Sequence, residues 1–544
     1  MKNLFNIKNL LFIFTASLIL FNSCKEEEDF PRTRLFEPVL TSELYSEGNS
    51  IIVDLYKMDG AVSYIYEVSQ DSFATVLYTI PSDTNYIVID SSLVGEQLLW
   101  YSLYQVRVTA LADEAKYNSL VSDLGNVRTE KYPSIMVTPD EYFVTDTRAK
   151  VAWTPAGDSV TNIKVYAGND ARLKTSLMEY EITSGERTVE QKIISGLNPE
   201  TTYQIALYSG SNLRGWEQYT TRVAQASGPN VFDLTGIYNP DLLVDTLDDL
   251  PKDAIVFLEG GMTYNAGSYA FSKSVSFQKG YSFTADLPLI DCGDNFNIVD
   301  GSIITSISFS EIAFSGSHND DYIFNIDVGG TIGSLSFESC KIHSLRGVTR
   351  MKDGAGKLSN FIINNCVVDS IRDYGILAVD KDTWKADDVT LENSTFSKCI
   401  SFLISRTSTN SVTIESCTLC ETPEAGRPIF RWRGADGSND ITKGLKINNS
   451  IWGPGWDLDA DGTVSVKGSE GLPNTTVTIT NVYATSDFAF ASDEIASFPS
   501  TTYSGTAADL WVDPFATSKL DFNFKDESFD GKSTAGDPRW RITL

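Results

Sequence analysis

The segment RPIFRWRG, residues 427–434, gathers three arginines and a tryptophan into eight positions of a chain that carries 43 basic and 72 acidic side chains, a formal net charge of −29. Guanidinium forks match the paired oxygens of carboxylates and sulfates, so arginines clustered on an acidic chain point to an anionic ligand held by local contacts. Related short segments precede it: GVTRMK (347–352), GILAVD (375–380) and SFLISRT (401–407). Aligned with PIFRWR (428–433), they set Arg350, Ala378, Ser405 and Arg431 in one row. Lys352, Asp380, Thr407 and Arg433 form a second row two residues on, hence on the same face of a strand. Trp432 turns to the opposite, inner face, and Arg406 stands one residue out of register. Two unit charges about 5 Å apart repel by roughly 0.8 kcal/mol even in water, so such rows carry a cost. Either they form a groove for an acidic polymer, or they are a self-compensated ladder in which Asp380 neutralises Lys352.

A second group with chemical potential is GWDLDADG, residues 455–462, where Asp457, Asp459 and Asp461 precede Gly462 as in the first half of a calcium loop. The twelfth position is Gly468 rather than Glu, which excludes an EF-hand. A calcium-binding loop inserted in a larger fold and an Asp-Gly-rich turn are the two readings. Trp452 and Trp456 beside it either stack on sugar rings or cap the fold. The two histidines, His318 and His343, are too few for a His-based metal cluster.

Rows of this kind need a scaffold that repeats. The segments ISFSEI, LSFESC, FIINNC, VTLENS, VTIESC, LKINNS and VTITNV are one motif: alternating apolar residues, a polar pair, then a small residue. Its last position falls at Ile312, Cys340, Cys366, Ser394, Cys417, Ser450 and Val482. One short strand per roughly 26 residues predicts a right-handed parallel β-helix with coils stacked about 4.8 Å apart. Ile363, Leu391, Ile414 and Ile447 then line one column of core, and Cys340, Cys366 and Cys417 stack as small apolar corners rather than bridging. Cys417 and Cys420 lack the second pair a zinc site requires.

Upstream, SYIYEVSQD, YIVID and LYQVRVTAL alternate apolar and polar residues within 36–131. AKVAWTP, NIKVYAG, VEQKIISGL and TYQIALYSG repeat the plan within 133–224. Leu197-Asn-Pro-Glu-Thr-Thr-Tyr203 resembles the tyrosine-corner segment of fibronectin type III domains, and Tyr104 looks equivalent in the first block. The fold expected is therefore all-β: two fibronectin type III-like β-sandwiches at 36–131 and 133–224, a hinge near 225–230, then a parallel β-helix over 229–541.

The N-terminus reads as targeting rather than fold. Lys2 and Lys8 flank the apolar run at 10–21, which is too short for a membrane span of about 20 residues. Asn22, Ser23 and Cys24 follow, so that residues 1–23 resemble a bacterial lipoprotein signal peptide with lipid carried on Cys24. The acidic tether 24–35 opens with KEEED (25–29), similar to the surface-export signal of Bacteroidetes lipoproteins. With 42% hydrophobic and 11% aromatic residues the chain is globular. Its acidity argues against general nucleic-acid binding.

With AIVFLEGGMTY (254–264) opening the helix, the coil motif continuing it and AGDPRW (535–540) closing it, residues 229–541 resemble the pectate-lyase-like β-helix domains of Bacteroidetes surface lipoproteins. Those carry fibronectin type III domains and occur with polysaccharide-utilisation systems. The resemblance implies an outer-membrane, surface-exposed lipoprotein with polysaccharide as partner, alongside a polysaccharide import complex. As an enzyme it implies a polysaccharide lyase acting on uronate chains by β-elimination. Lys352 and Arg350 are then the catalytic candidates, with carboxylate neutralisation by calcium or arginine. The calcium cluster such a lyase needs is thin, with Asp380 and Asp382 the obvious carboxylates on the same strands. The reading favoured is a binder of acidic polysaccharide, contacting it through Arg350, Lys352, Arg406, Arg431, Arg433, Trp452 and Trp456. An adhesin or structural surface protein is a third reading.

Overall fold

A computed structural model describes residues 32–434, 439–517 and 519–541. Cys24 and the acidic run after it lie outside the described residues. Among the described residues the chain forms two compact units: those up to Val137, with Ala152–Gln191 and Tyr203–Gln218, make one, while Thr138–Val151, Lys192–Thr202 and those from Tyr219 onward make the other.

In the first unit, the antiparallel strands Tyr78–Ser82, Ser63–Ser69, Leu103–Leu111 and Ser122–Arg128 form one sheet, and Tyr45–Glu47, Ser50–Asp54 and Tyr86–Ile89 another. Their alternating residues Ile51, Val53, Tyr66, Val68, Val106 and Val108 share one buried core. Tyr104 is buried in it, and its hydroxyl accepts the Leu99 backbone N–H at 2.9 Å. That tie five residues upstream is the tyrosine-corner device of fibronectin-like sandwiches. A further four-stranded antiparallel sheet orders Ser176–Glu181, Asn162–Ala167, Thr202–Ser209 and Asn212–Thr220, with Arg148–Ala152 and Gln191–Ser195 pairing separately.

From Val231 the second unit is a parallel β-solenoid. One sheet stacks ten strands from Val231–Asp233 to Val477–Thr480, and a second runs alongside it through fifteen. The expected core column is present: Phe309, Phe337, Ile363, Leu391, Ile414, Ile447 and Ile479 are successive register partners. Ile363, Leu391, Ile414 and Ile447 have no solvent exposure. Phe277, Phe309 and Phe337 stack nearly parallel, 5.0 and 5.5 Å apart. The short helix Leu242–Leu247 adds Leu243 and Leu247 to the same core.

The corner after each core strand explains the polar pair of the motif. Ser339, Asn365, Asn393, Ser416, Asn449 and Asn481 all take left-handed backbone angles, φ between 47° and 56°. Asparagine and serine tolerate that region because their short polar side chains bond locally. The side chains also ladder between coils: Asn365 donates to Ser339 Oγ, Asn393 to Asn364 Oδ1 and Asn481 to Asn449 Oδ1, each at 2.8 Å. The small residue that follows turns inward. Cys366 N–H donates to Ser394 Oγ at 2.9 Å and Cys417 N–H to Ser450 Oγ at 3.0 Å. All six described cysteines are free and buried, and burial pushes the Cys399 thiol up to about 12. They are packing residues, as their stacked positions require.

The segment 535–540 departs from expectation. It does not close the end of the stack but runs back along its flank. Gly536 N–H donates to Asn449 O at 2.8 Å, the Thr395 hydroxyl donates to Asp537 at 2.7 Å, and Arg539 donates to Asn365 O at 2.7 Å. Ala507, Leu510, Trp511, Phe522, Phe529 and Ala535 fasten this return to Cys420 and Ile451.

Candidate functional site

The basic residues singled out from the sequence lie on the strands Lys341–Met351, Val367–Val379, Leu403–Ser405 and Pro428–Trp432, or directly after them, with Tyr322–Ile326 preceding them in the stack. The first row is Arg350, Ala378, Ile404 and Arg431, one residue from expectation at its third member. Ser405 instead pairs with Val379 and Trp432, and is buried. The second row shifts likewise, since Arg406 N–H donates to Val379 O and Arg433 N–H to Ser405 O. Arg406, not Thr407, therefore follows Asp380 and precedes Arg433. Trp432 faces inward as expected, 2% exposed, its indole N–H donating to Thr409 Oγ1.

Asp380 is the hub. Its carboxylate accepts from Arg350 at 2.7 Å, from Arg406 at 3.1 Å and from Arg433 at 3.4 Å. Burial works to raise its pKa, yet the hydrogen bonds from Arg350 and Arg406 hold it below the usual carboxylate value. Arg350 lies over the Tyr374 ring, 3.8 Å from its centroid, within cation–π range. The expected Lys352–Asp380 pair is not formed: Lys352 lies 3.9 Å from Asp327. Arg431 binds Glu470 at 2.9 Å, and Arg427 binds Glu424.

Compensation is thus complete at Lys352, Arg427 and Arg431 but not around Asp380, where three guanidinium groups share one carboxylate and leave two positive charges in excess. Arg433 registers the crowding: burial, then repulsion from Arg431 and Arg406, lowers its pKa. The Nε atoms of Arg350 and Arg433 are buried without an acceptor among the described residues. Buried donors left without a partner are uncommon, and both lie out of reach of solvent.

The other expected site residues fall elsewhere. Trp452 is fully buried, its ring 5.2 Å from Phe498 and 6.3 Å from Phe402, so the indole offers no face to a sugar; this corrects its placement in a glycan site. Trp456 is half-buried and bridges through its backbone to Glu424. The two carboxylate oxygens of Asp457 accept the N–H groups of Asp461 and Gly462 at 3.0 and 2.9 Å, and Asp461 accepts that of Thr463 at 2.8 Å. The loop is folded by Asp-Gly turn chemistry. Among the described residues no three His, Cys, Asp or Glu side chains assemble as a metal-ligand set, Asp457, Asp459 and Asp461 included. Asp380 is committed to arginines and Asp382 is exposed on a turn.

Tyr374 and Arg346 were not foreseen. Arg346 lies 3.7 Å from Asp373 and 5.2 Å from the Tyr374 centroid. Tyr374 directly precedes Gly375 of GILAVD, and an aromatic just before an aligned basic strand was the available signal.

Fold and site together define an all-β protein in which fibronectin III-like sheets precede a β-solenoid bearing an arginine-rich wall. A family model described as a domain of unknown function (DUF4957) matches residues 262–399, within the solenoid. No curated protein matches the chain. Among solved structures, the chain is similar to the FN1–FN3 domains of chicken CNTN1, at 13% identity and TM-score 0.16, over 35% of this chain and 68% of that one. The central fibronectin-III array of RIM-binding protein is matched at 13% identity and TM-score 0.12, over 35% and 61%.

Proposed function

We propose that this protein is a lipid-anchored, outer-membrane lipoprotein exposed on the cell surface that binds extracellular acidic polysaccharide along its β-solenoid. The observation that carries the reading is the sharing of Asp380 by Arg350, Arg406 and Arg433, which concentrates positive charge on a chain of net charge −29. The partly exposed guanidinium groups of Arg406 and Arg433 suit carboxylate or sulfate oxygens, and parallel stacking lets a polymer lie along successive coils. Arg350 is held by Asp380 and Lys352 lies beside Asp327, so neither is poised as a free base for β-elimination.

The test is retardation of the full-length chain in affinity gels containing acidic or neutral polysaccharides, with ultraviolet absorbance monitored for unsaturated products. Acidic polymers should retard the protein without new absorbance. Arg406→Ala with Arg433→Ala should weaken binding by about 1.5–3 kcal/mol per lost charged contact. Arg431→Ala should do less, because Glu470 already neutralises it. Retardation by neutral polymers alone would defeat the reading, and unsaturated products would turn the binder into a lyase.

A further inference from the structure

The returning C-terminal segment leaves a cleft of about 510 Å³ against the solenoid, a volume in the range of small-molecule sites. One wall comprises Lys341, His343 and Asp369 on the strands Lys341–Met351 and Val367–Val379. The other comprises Lys519 and Trp540 of the return. The two walls are tied firmly. Lys398 Nζ donates to the carbonyls of Phe515, at 3.2 Å, and Ala516, while the Trp540 indole N–H donates to Thr395 Oγ1 at 2.8 Å. Arg539 spans to Asn365 and Asp537.

These ties use up Lys398 and Arg539 but leave the ammonium groups of Lys341 and Lys519, both on exposed residues, without an ion-pair partner among the described residues. Asp369 is the sole carboxylate of the lining. Burial, aided by Lys341 and His318, lowers the His343 pKa against the opposing pull of Asp369. A gap left by imperfect packing would be apolar or internally paired. This one instead presents two free cations, an imidazole, one carboxylate and an aromatic ring, a combination suited to a sugar bearing a negative group.

We propose that this cleft is a second ligand site, separate from the arginine wall, that takes a small acidic saccharide. Lys341 and Lys519 hold its carboxylate, Asp369 and His343 meet its hydroxyls, and its ring lies against Trp540.

The test is calorimetric titration of the full-length chain with galacturonate, galactose and inorganic sulfate. Galacturonate should bind at least tenfold more tightly than galactose or sulfate. Lys341→Ala with Lys519→Ala, both exposed and outside the core, should lower that affinity at least tenfold with no change in melting temperature. Arg406→Ala with Arg433→Ala should leave it unchanged, so that failure here and failure of polymer binding at the arginine wall are read separately. Absence of galacturonate binding, or binding unchanged in the double lysine variant, overturns the proposal. Sulfate binding as tight as galacturonate also overturns it, because the cleft would then hold anions without regard to the sugar.

Discussion

Asp380 decides what the arginine wall can do. Its folded pKa lies below the ordinary value because Arg350 and Arg406 donate to it. The carboxylate therefore contributes stability that is present above the unfolded pKa of about 3.9 and is lost as pH falls through the lower folded value. Asp380→Asn should lower the melting temperature at neutral pH, since removing one member of a buried charged group leaves the others uncompensated, at a cost of about 3 kcal/mol. The gap between variant and wild type should begin to narrow as pH drops below about 4, where the unfolded chain takes up the proton, and close only below the lower folded value, where the folded wild type loses the same charge. A melting-temperature series across pH checks this; a gap that is independent of pH would assign the loss to packing rather than charge. The same variant should bind acidic polymer more tightly, because three guanidinium groups then face the ligand with no internal rival. The basic stripe itself was legible in RPIFRWRG, and so was Asp380 as its neutralising acid. Which cation Asp380 takes was not. Lys352 was the nearest by row, whereas the fork of Arg350, pinned over Tyr374, reaches it at 2.7 Å.

The coil is the element through which sequence becomes geometry. Its core strand was readable because apolar alternation and a recurring small residue report the same buried column, and Ile363, Leu391, Ile414 and Ile447 are indeed register partners. The second strand was misaligned by one residue for a local reason. Ile371 pairs with Cys399, but Leu377 pairs with Leu403, so the corner between these pairs is two residues shorter in the later coil. A pattern read from spacing alone has no way to place that deletion, and a one-residue slip reverses facing. Arg406 thereby enters the wall and Ser405 leaves it. The return of 535–540 was illegible for another reason: Asp537 meets Thr395 across 142 positions, with no periodic signature in either segment. Two predictions belong here. Ile414→Asp buries an unpaired charge in the column and should cost several kcal/mol, abolishing the cooperative melt of the solenoid by calorimetry. Asn393→Val places a β-branched residue at φ 49° and removes the bond to Asn364, which should cost about 2 kcal/mol, with Asn393→Gly recovering the backbone part. Equal melting of the Val and Gly variants would mean that the left-handed corner carries no strain.

For the whole molecule, the proposed function raises the question of how a chain of net charge −29 would approach a polyanion. On the proposed lipoprotein reading Cys24 carries the anchor, so Cys24→Ala should leave the protein unlipidated and free of membranes by fractionation, whereas alanine at Glu26, Glu27 and Glu28 should keep it anchored but reduce protease accessibility on intact cells. In the proposed binding of an acidic polymer, two electrostatic effects compete. Repulsion from the summed charge acts at long range, and attraction from the surplus around Asp380 acts at contact. At physiological salt the screening length is about 8 Å, so distant carboxylates fade while the guanidinium groups in contact with ligand do not. The two effects predict opposite salt responses. If the molecular charge governs, added salt relieves repulsion and binding tightens. If the arginine wall governs, added salt competes with the contact and binding weakens, as it does for other polyanions held by Lys and Arg. The local excess is only two charges, so the slope of log affinity against log salt should be negative and shallow, about −1 to −2. In Arg406→Ala with Arg433→Ala that excess is gone, and the slope should flatten or turn positive. Affinity measured from low to high salt for both proteins decides between them, and a positive slope in wild type would place the binding of acidic polymer outside the arginine wall.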